Sequence, residues 1–164
     1  MMNELAVKVG TALKAHGLML ATAESCTGGG VAHALTDISG SSAWFERGFV
    51  TYSNTAKVEM LGVRQSTLDA HGAVSEATIR EMAAGALAHS RANISVSISG
   101  IAGPDGGTAE KPVGTVWFAW ALRDGEVHAR LHHLTGNRAA IREQSVQIAL
   151  QGVLNLLNSN IKTA

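Results

Sequence analysis

The stretch Ala23-Glu24-Ser25-Cys26-Thr27-Gly28-Gly29-Gly30 joins two differently patterned segments, and so constrains how the chain runs on either side of it. Before it, residues 17–23 form a short apolar run bounded by glycine, the pattern of a buried strand. After it, Val31, Ala32, Ala34, Leu35 and Ile38 recur at helical spacing. A strand that turns through glycines into a helix points free backbone N–H groups above the turn, and the helix dipole adds positive potential there. Beside Ser25, those groups could cradle a phosphate or hold the oxyanion formed when the hydroxyl attacks a carbonyl. The stretch is neither Gly-x-Ser-x-Gly nor a phosphate loop ending in Gly-Lys-Ser/Thr, so an ordinary glycine-rich turn is the third possibility.

A chain of 164 residues, 46% hydrophobic, is expected to form one domain over residues 1–164 with a substantial core. Its 13 basic and 13 acidic residues cancel and no basic run occurs, which argues against general attraction to nucleic acid or to an acidic membrane surface. Cys26 is the only cysteine, so no internal disulfide forms, and a reducing cytoplasm is the expected setting. The first residues read as an amphipathic helix, with Asn3 as N-cap, Leu5, Val9, Ala12 and Leu13 as its stripe and Gly17 as its stop, rather than as a signal peptide. No apolar run has the length of a bilayer span.

Residues 44–52 are rich in aromatic and β-branched types and predict a strand, with Gly48 marking a bulge or a close approach. A short helix follows, capped by Ser53 or Asn54 and stopped by Gly62. Lys57 then lies near the positive end of that helix, against the usual charge preference. A solvated lysine is the ordinary explanation; the other is a lysine whose surroundings lower its pKa until it can act as a base. Bringing a lysine from about 10.4 to about 7–8 requires roughly 4 kcal/mol, and an exposed helix end supplies roughly 0.3–1 kcal/mol. Burial would have to provide the remainder.

Residues 64–72 form a short helical turn ended by glycine, and Ser75 opens a long helix whose buried stripe is Ile79, Met82, Ala83, Ala86 and Leu87. His71 either lines a site or makes a local hydrogen bond at that junction. Residues 93–99 alternate apolar residues with serines, a strand by period, and run into a glycine-rich loop from Gly100 to Gly107 that extends to Gly114. A loop of that length in a compact domain suits a wall or lid of a site, or a surface excursion. Residues 114–122 and 127–134 form a hairpin around Asp124-Gly125. His132 and His133 face opposite ways on its second strand and cannot chelate one metal together, and no other spacing reads as a metal site. Asn137 caps the last helix, where Arg138 and Arg142 stand one turn apart. A bound phosphate would reconcile both with that position, and Glu143 could instead neutralise them.

Taken together, residues 22–29, residues 48–54 with Lys57, residues 72–75, residues 99–107 and residues 111–116 resemble, in order and across almost the whole chain, the C-terminal domain of the competence/damage-inducible protein CinA, in particular its stand-alone amidohydrolase form. The resemblance implies a three-layer α/β/α sandwich on a mixed sheet of about five strands. It implies hydrolysis of the carboxamide of nicotinamide mononucleotide, a small-molecule nucleotide substrate, by a Ser/Lys dyad with no metal or other cofactor. On this sequence the nucleophile falls on Ser25 and the base on Lys57, with Tyr52 and Asn54 lining the pocket. Backbone N–H groups of Thr27, Gly28 and Gly29 would hold the oxyanion, and Arg138, Arg142 and the loop with Gly100 and Gly103 would hold the substrate phosphate. The family's extra N-terminal domain, similar to molybdopterin-binding proteins, has no room here. Gly30 stands where a bulkier residue is expected and would loosen the helix it opens. A homo-oligomer, namely a dimer, is expected. A phosphate-gripping module without catalysis and a Cys26 nucleophile are the competing possibilities.

Overall fold

The computed structural model describes residues 2–159. Helix α1 (Met2–His16) leads into β1 (Leu20–Glu24), α2 (Gly30–Thr36), a 3-10 turn (Ser41–Ala43) and β2 (Phe45–Val50). Helices α3 (Asn54–Leu61), α4 (Gln65–His71) and α5 (Glu76–Ala88) follow, then β3 (Ile94–Gly100), β4 (Thr115–Leu122), β5 (Val127–His133) and α6 (Arg138–Ser159). The strands form one sheet in the order β2-β1-β3-β4-β5, with β1 parallel to both neighbours and β4 and β5 antiparallel. Helices cover both faces, which makes the expected three-layer α/β/α sandwich on a mixed sheet.

The two faces differ in bulk. Leu20, Ile94, Val96, Ile98, Val116 and Phe118 form a core with α1, α2 and α6. Ala21, Ala23, Ala119 and Ala121 form the other with α5 and Leu61 of α3, and their small side chains let α5 approach closely. The alternation in β3 correctly signals a strand, yet its serine face is dry: Ser95 and Ser97 are fully buried and donate to the α5 carbonyls of Ala83 at 2.8 Å and Ile79 at 2.9 Å. Each hydroxyl is thereby satisfied without water, which is the condition for burying it.

Several local expectations are refined. Asn3 lies inside the first turn of α1 instead of capping it. Ser53, not Asn54, caps α3, accepting from the Ala56 N–H at 3.0 Å, while Ser75 and Asn137 cap α5 and α6 as expected. The register shift between β1 and β2 falls at Glu46, since Leu20 pairs with Phe45 and Ala21 with Arg47. Gly48 is instead a close approach, where a Cβ would come within 2.7 Å of Thr22 Oγ1. Trp44 precedes its strand and is buried against Gly10 of α1. Among the described residues, no helix is long and apolar enough to cross a membrane.

Helix α5 also sets the position of α3, because Gly85 faces the Leu61 carbonyl so closely that a Cβ would collide with it. Gly85→Ala forces backbone apart rather than a flexible side chain, so a loss of about 1–3 kcal/mol is expected, read as a lower urea midpoint.

Candidate active site

Strand β1 ends between its two parallel neighbours, and they extend their hydrogen bonding past its last residue. The Thr51 N–H donates to the Glu24 carbonyl at 2.8 Å, and the Ser25 N–H to the Ile98 carbonyl at 2.9 Å. Ser25 is thus braced at the carboxyl ends of the parallel strands, where open α/β sheets place their crevices. The chain then reverses through Gly28 and Gly29, whose φ angles of 60° and 100° suit glycine. The Gly28 N–H closes the turn on the Ser25 carbonyl at 3.1 Å.

The positive end of α2 is not open to a ligand, contrary to expectation. Glu24, fully buried, accepts from Thr27 Oγ1 at 2.6 Å and from the N–H groups of Val31 and Ala32 at 2.9 and 3.0 Å. The chain's own carboxylate occupies the place where a phosphate on that helix would sit. The Gly28 N–H, expected to face an oxyanion, is spent on the turn; those of Cys26, Thr27 and Gly29 have no oxygen partner among the described residues. Of the turn, Ser25 and Cys26 line the adjoining cleft; Thr27, Gly28 and Gly29 are not among its lining residues. Gly30 does not loosen α2: a Cβ there would stand 2.9 Å from Val146 Cγ2, so its absence lets α2 close on α6.

Lys57 lies one turn into α3, with its N–H on the Ser53 carbonyl. Its side chain turns inward and is 1% exposed. Nζ lies 3.0 Å from Ser25 Oγ and donates to the carbonyls of Thr51 at 2.9 Å and Tyr52 at 3.2 Å. No carboxylate pairs with it among the described residues. Burial lowers its pKa from 10.5 to about 8, with a nearby Cys26 acting weakly the other way. The two carbonyls hold two N–H bonds, and when the amine is neutral its lone pair is left to accept the Ser25 hydroxyl proton. Burial acts oppositely on Cys26, pushing its thiol up to about 11, so the thiol is not acidified by the turn.

The cleft above this pair measures about 300 Å³. Tyr52 and Asn54 form one wall, Gly100 to Gly103 with Asp105 and Gly106 form another, and Arg138 lines the cleft with them. Arg138 donates to the Gly103 carbonyl at 2.9 Å and reaches Tyr52 Oη at 3.4 Å, linking the two walls. Arg142 is outside the cleft: its Nε donates to the Cys26 carbonyl at 3.0 Å, and Nη2 lies 3.4 Å from that of Thr27. Glu143 pairs with neither arginine. His71 is exposed and offers only its carbonyl, to Lys111 Nζ at 2.8 Å.

Sequence reasoning assigned no role to Ser99, Ala73 and Val74, which also line the cleft, or to Glu24, whereas Asp105 lines it as part of the expected loop. The available signal for Glu24 was an acidic residue ending an apolar run. A wider groove of about 950 Å³ along β5 and α6 contains His128 and His132 but no lysine beside a hydroxyl, so its chemistry is poorer despite its size. Among the described residues no three His, Cys, Asp or Glu side chains are grouped to hold a metal ion.

Glu24→Gln retains the shape of the side chain but turns an amide donor toward backbone N–H groups that need an acceptor. It is expected to cost about 1–3 kcal/mol, measured by urea unfolding.

The sequence profile of the CinA C-terminal domain matches residues 2–157. The chain is 62% identical over 148 residues to the nicotinamide-nucleotide amidohydrolase PncC of Escherichia coli, covering 90% of each. Among solved structures it is similar to the competence/damage-inducible protein of Agrobacterium tumefaciens, with a TM-score of 0.92 at 51% identity over 96% of each chain. It is also similar to the competence damage-inducible protein A of Klebsiella pneumoniae, with a TM-score of 0.94 at 41% identity over 98% of this chain and 99% of that one. The order of the strands, the serine turn and these likenesses agree, and the chain belongs to the CinA C-terminal domain family.

Proposed function

We propose that this chain is a nicotinamide-nucleotide amidohydrolase that converts nicotinamide mononucleotide to nicotinate mononucleotide and ammonia, with Ser25 as nucleophile and Lys57 as general base. The observation that carries the assignment is the 3.0 Å contact between Ser25 Oγ and an amine buried without a counter-charge. With a pKa of about 8, roughly one Lys57 in ten is neutral at pH 7, against roughly one in three thousand for an unshifted lysine.

Neutral Lys57 takes the Ser25 proton as Oγ attacks the carboxamide carbon, and the carbonyl oxygen becomes an oxyanion. The N–H groups of Cys26 and Thr27, which have no oxygen partner among the described residues, are its donors, in place of the Gly28 N–H. The Lys57 ammonium then protonates the departing nitrogen, and ammonia leaves behind a nicotinoyl ester on Ser25. Lys57 next takes a proton from water, hydroxide adds to the ester, and collapse returns the proton to Ser25 and frees the carboxylic acid, which gives up its proton to solvent as the carboxylate product. Arg138 and the backbone N–H groups of Ala102, Gly103, Asp105 and Gly106, which lack partners among the described residues, hold the phosphate at the far end of the cleft. The enzyme works in the cytoplasm as a homodimer, and light scattering of the purified protein reads the second point.

Ammonia release from nicotinamide mononucleotide by metal-stripped protein tests the assignment. Ser25→Ala and Lys57→Ala are each expected to lose about 10³-fold or more in turnover while remaining folded, with Ser25→Ala still binding the nucleotide, and Cys26→Ala is expected to stay active. A folded parent that binds the nucleotide without releasing ammonia would favour a non-catalytic module. The pKa shift has a definite sign: the active form of Lys57 is the deprotonated one, so kcat/KM should rise with pH through about 8 and level off above it.

A further inference from the structure

Arg142 has no place in the chemistry just described, yet it is engaged with the turn that carries the nucleophile. Its guanidinium lies on the carbonyls of Cys26, at 3.0 Å, and Thr27, at 3.4 Å. Gly28 makes room for it, since a Cβ on Gly28 would stand 3.2 Å from Nη2. No carboxylate makes a salt bridge with this cation among the described residues, so the guanidinium meets the two carbonyls as an unpaired group.

Each carbonyl shares its electrons with the N–H of the following residue. A cation on the Cys26 oxygen draws density from the Cys26–Thr27 peptide nitrogen and makes the Thr27 N–H a stronger donor. The second contact acts through a relay. Polarising the Thr27 carbonyl strengthens the Gly28 N–H, which donates at 3.1 Å to the Ser25 carbonyl, and that carbonyl belongs to the peptide whose N–H is that of Cys26. Both routes end on N–H groups that the fold leaves without an oxygen partner, immediately after the nucleophile.

We propose that Arg142 is a positioning residue that polarises the Cys26 and Thr27 N–H groups and so strengthens the oxyanion site, rather than a ligand for the substrate phosphate. The inference rests on the Ser25 amidohydrolase assignment. Its effect belongs to the transition state, where negative charge develops on the carbonyl oxygen, and therefore to kcat rather than KM.

The test compares Arg142→Ala, Arg142→Gln and Arg142→Lys in steady-state ammonia release from nicotinamide mononucleotide. Losing an oxyanion donor outright costs about 10²–10³ in kcat, and a donor weakened but still present should lose less, about tenfold to thirtyfold. That loss is expected in the Ala and Gln variants with KM within about twofold of the parent, and partial recovery in the Lys variant. Gln keeps a hydrogen-bond donor without charge, so a purely structural tie would survive in it, whereas polarisation would not. A Gln variant equal to the parent, or a Lys variant as slow as Gln, overturns the proposal. A raised KM at unchanged kcat also overturns it, by making Arg142 a substrate contact. If the Ala variant fails to fold, the Gln and Lys pair carries the comparison.

The acylation burst with p-nitrophenyl acetate separates this proposal from the assignment beneath it, because it forms an oxyanion at Ser25 without the nucleotide. A parent that releases no ammonia but acylates faster than Arg142→Gln would sink the nucleotide assignment and leave the role of Arg142 standing. Equal acylation rates in the two proteins overturn the role of Arg142, and a parent that does neither overturns both.

Discussion

An amine held in the protein interior without a carboxylate partner is costly, and much of the architecture around Lys57 manages that cost. Two backbone carbonyls at the end of β2 accept its N–H bonds, and Ser25 takes the third direction. Burial moves the proton equilibrium toward neutrality, which a carboxylate neighbour would have reversed. Helix α3 holds the lysine, β1 holds the serine, and α5 sets the distance between them through the contact of Gly85 with the Leu61 carbonyl.

The Ser25 turn is held from two sides by opposite charges with different tasks. Glu24 closes the N-terminus of α2 from within, accepting from one hydroxyl and two backbone N–H groups. Arg142 comes from α6, more than a hundred residues later, and engages the carbonyls on the back of the same turn. The helix dipole is therefore satisfied internally, and within the turn the N–H groups of Cys26, Thr27 and Gly29 are left without an oxygen partner among the described residues. Under the proposed chemistry, such preorganisation would let an oxyanion form without reorganising its surroundings.

Much of the fold was legible because hydrophobic period is a local property. The run before Ser25, the alternation in β3 and the Asp-Gly hairpin each declared an element without reference to any other. The misreadings share a cause. The burial of the β3 serines left no mark in the alternation because their acceptors, carbonyls of α5, are a tertiary matter. Asn3 looked like a cap because cap preference is a weak local signal, whereas the helix already includes Met2. Gly30 looked like a weakness until Val146 was seen to lie against it.

By itself the sequence determined the strand-turn-helix at Ser25, the order of the elements, the glycines that permit the turn and the residue types available for chemistry. It also bounded the energetics, since a helix end is too weak to lower a lysine pKa by itself and burial had to supply the rest. Only the tertiary structure decided that Lys57 is buried and that it meets Ser25 across 32 positions of chain. It also decided that Arg138 spans the cleft while Arg142, one turn away, turns to the back of the serine turn. The physical reason is that desolvation and the direction of a long side chain are set by what packs around a residue, and packing partners distant in sequence leave no local pattern to read.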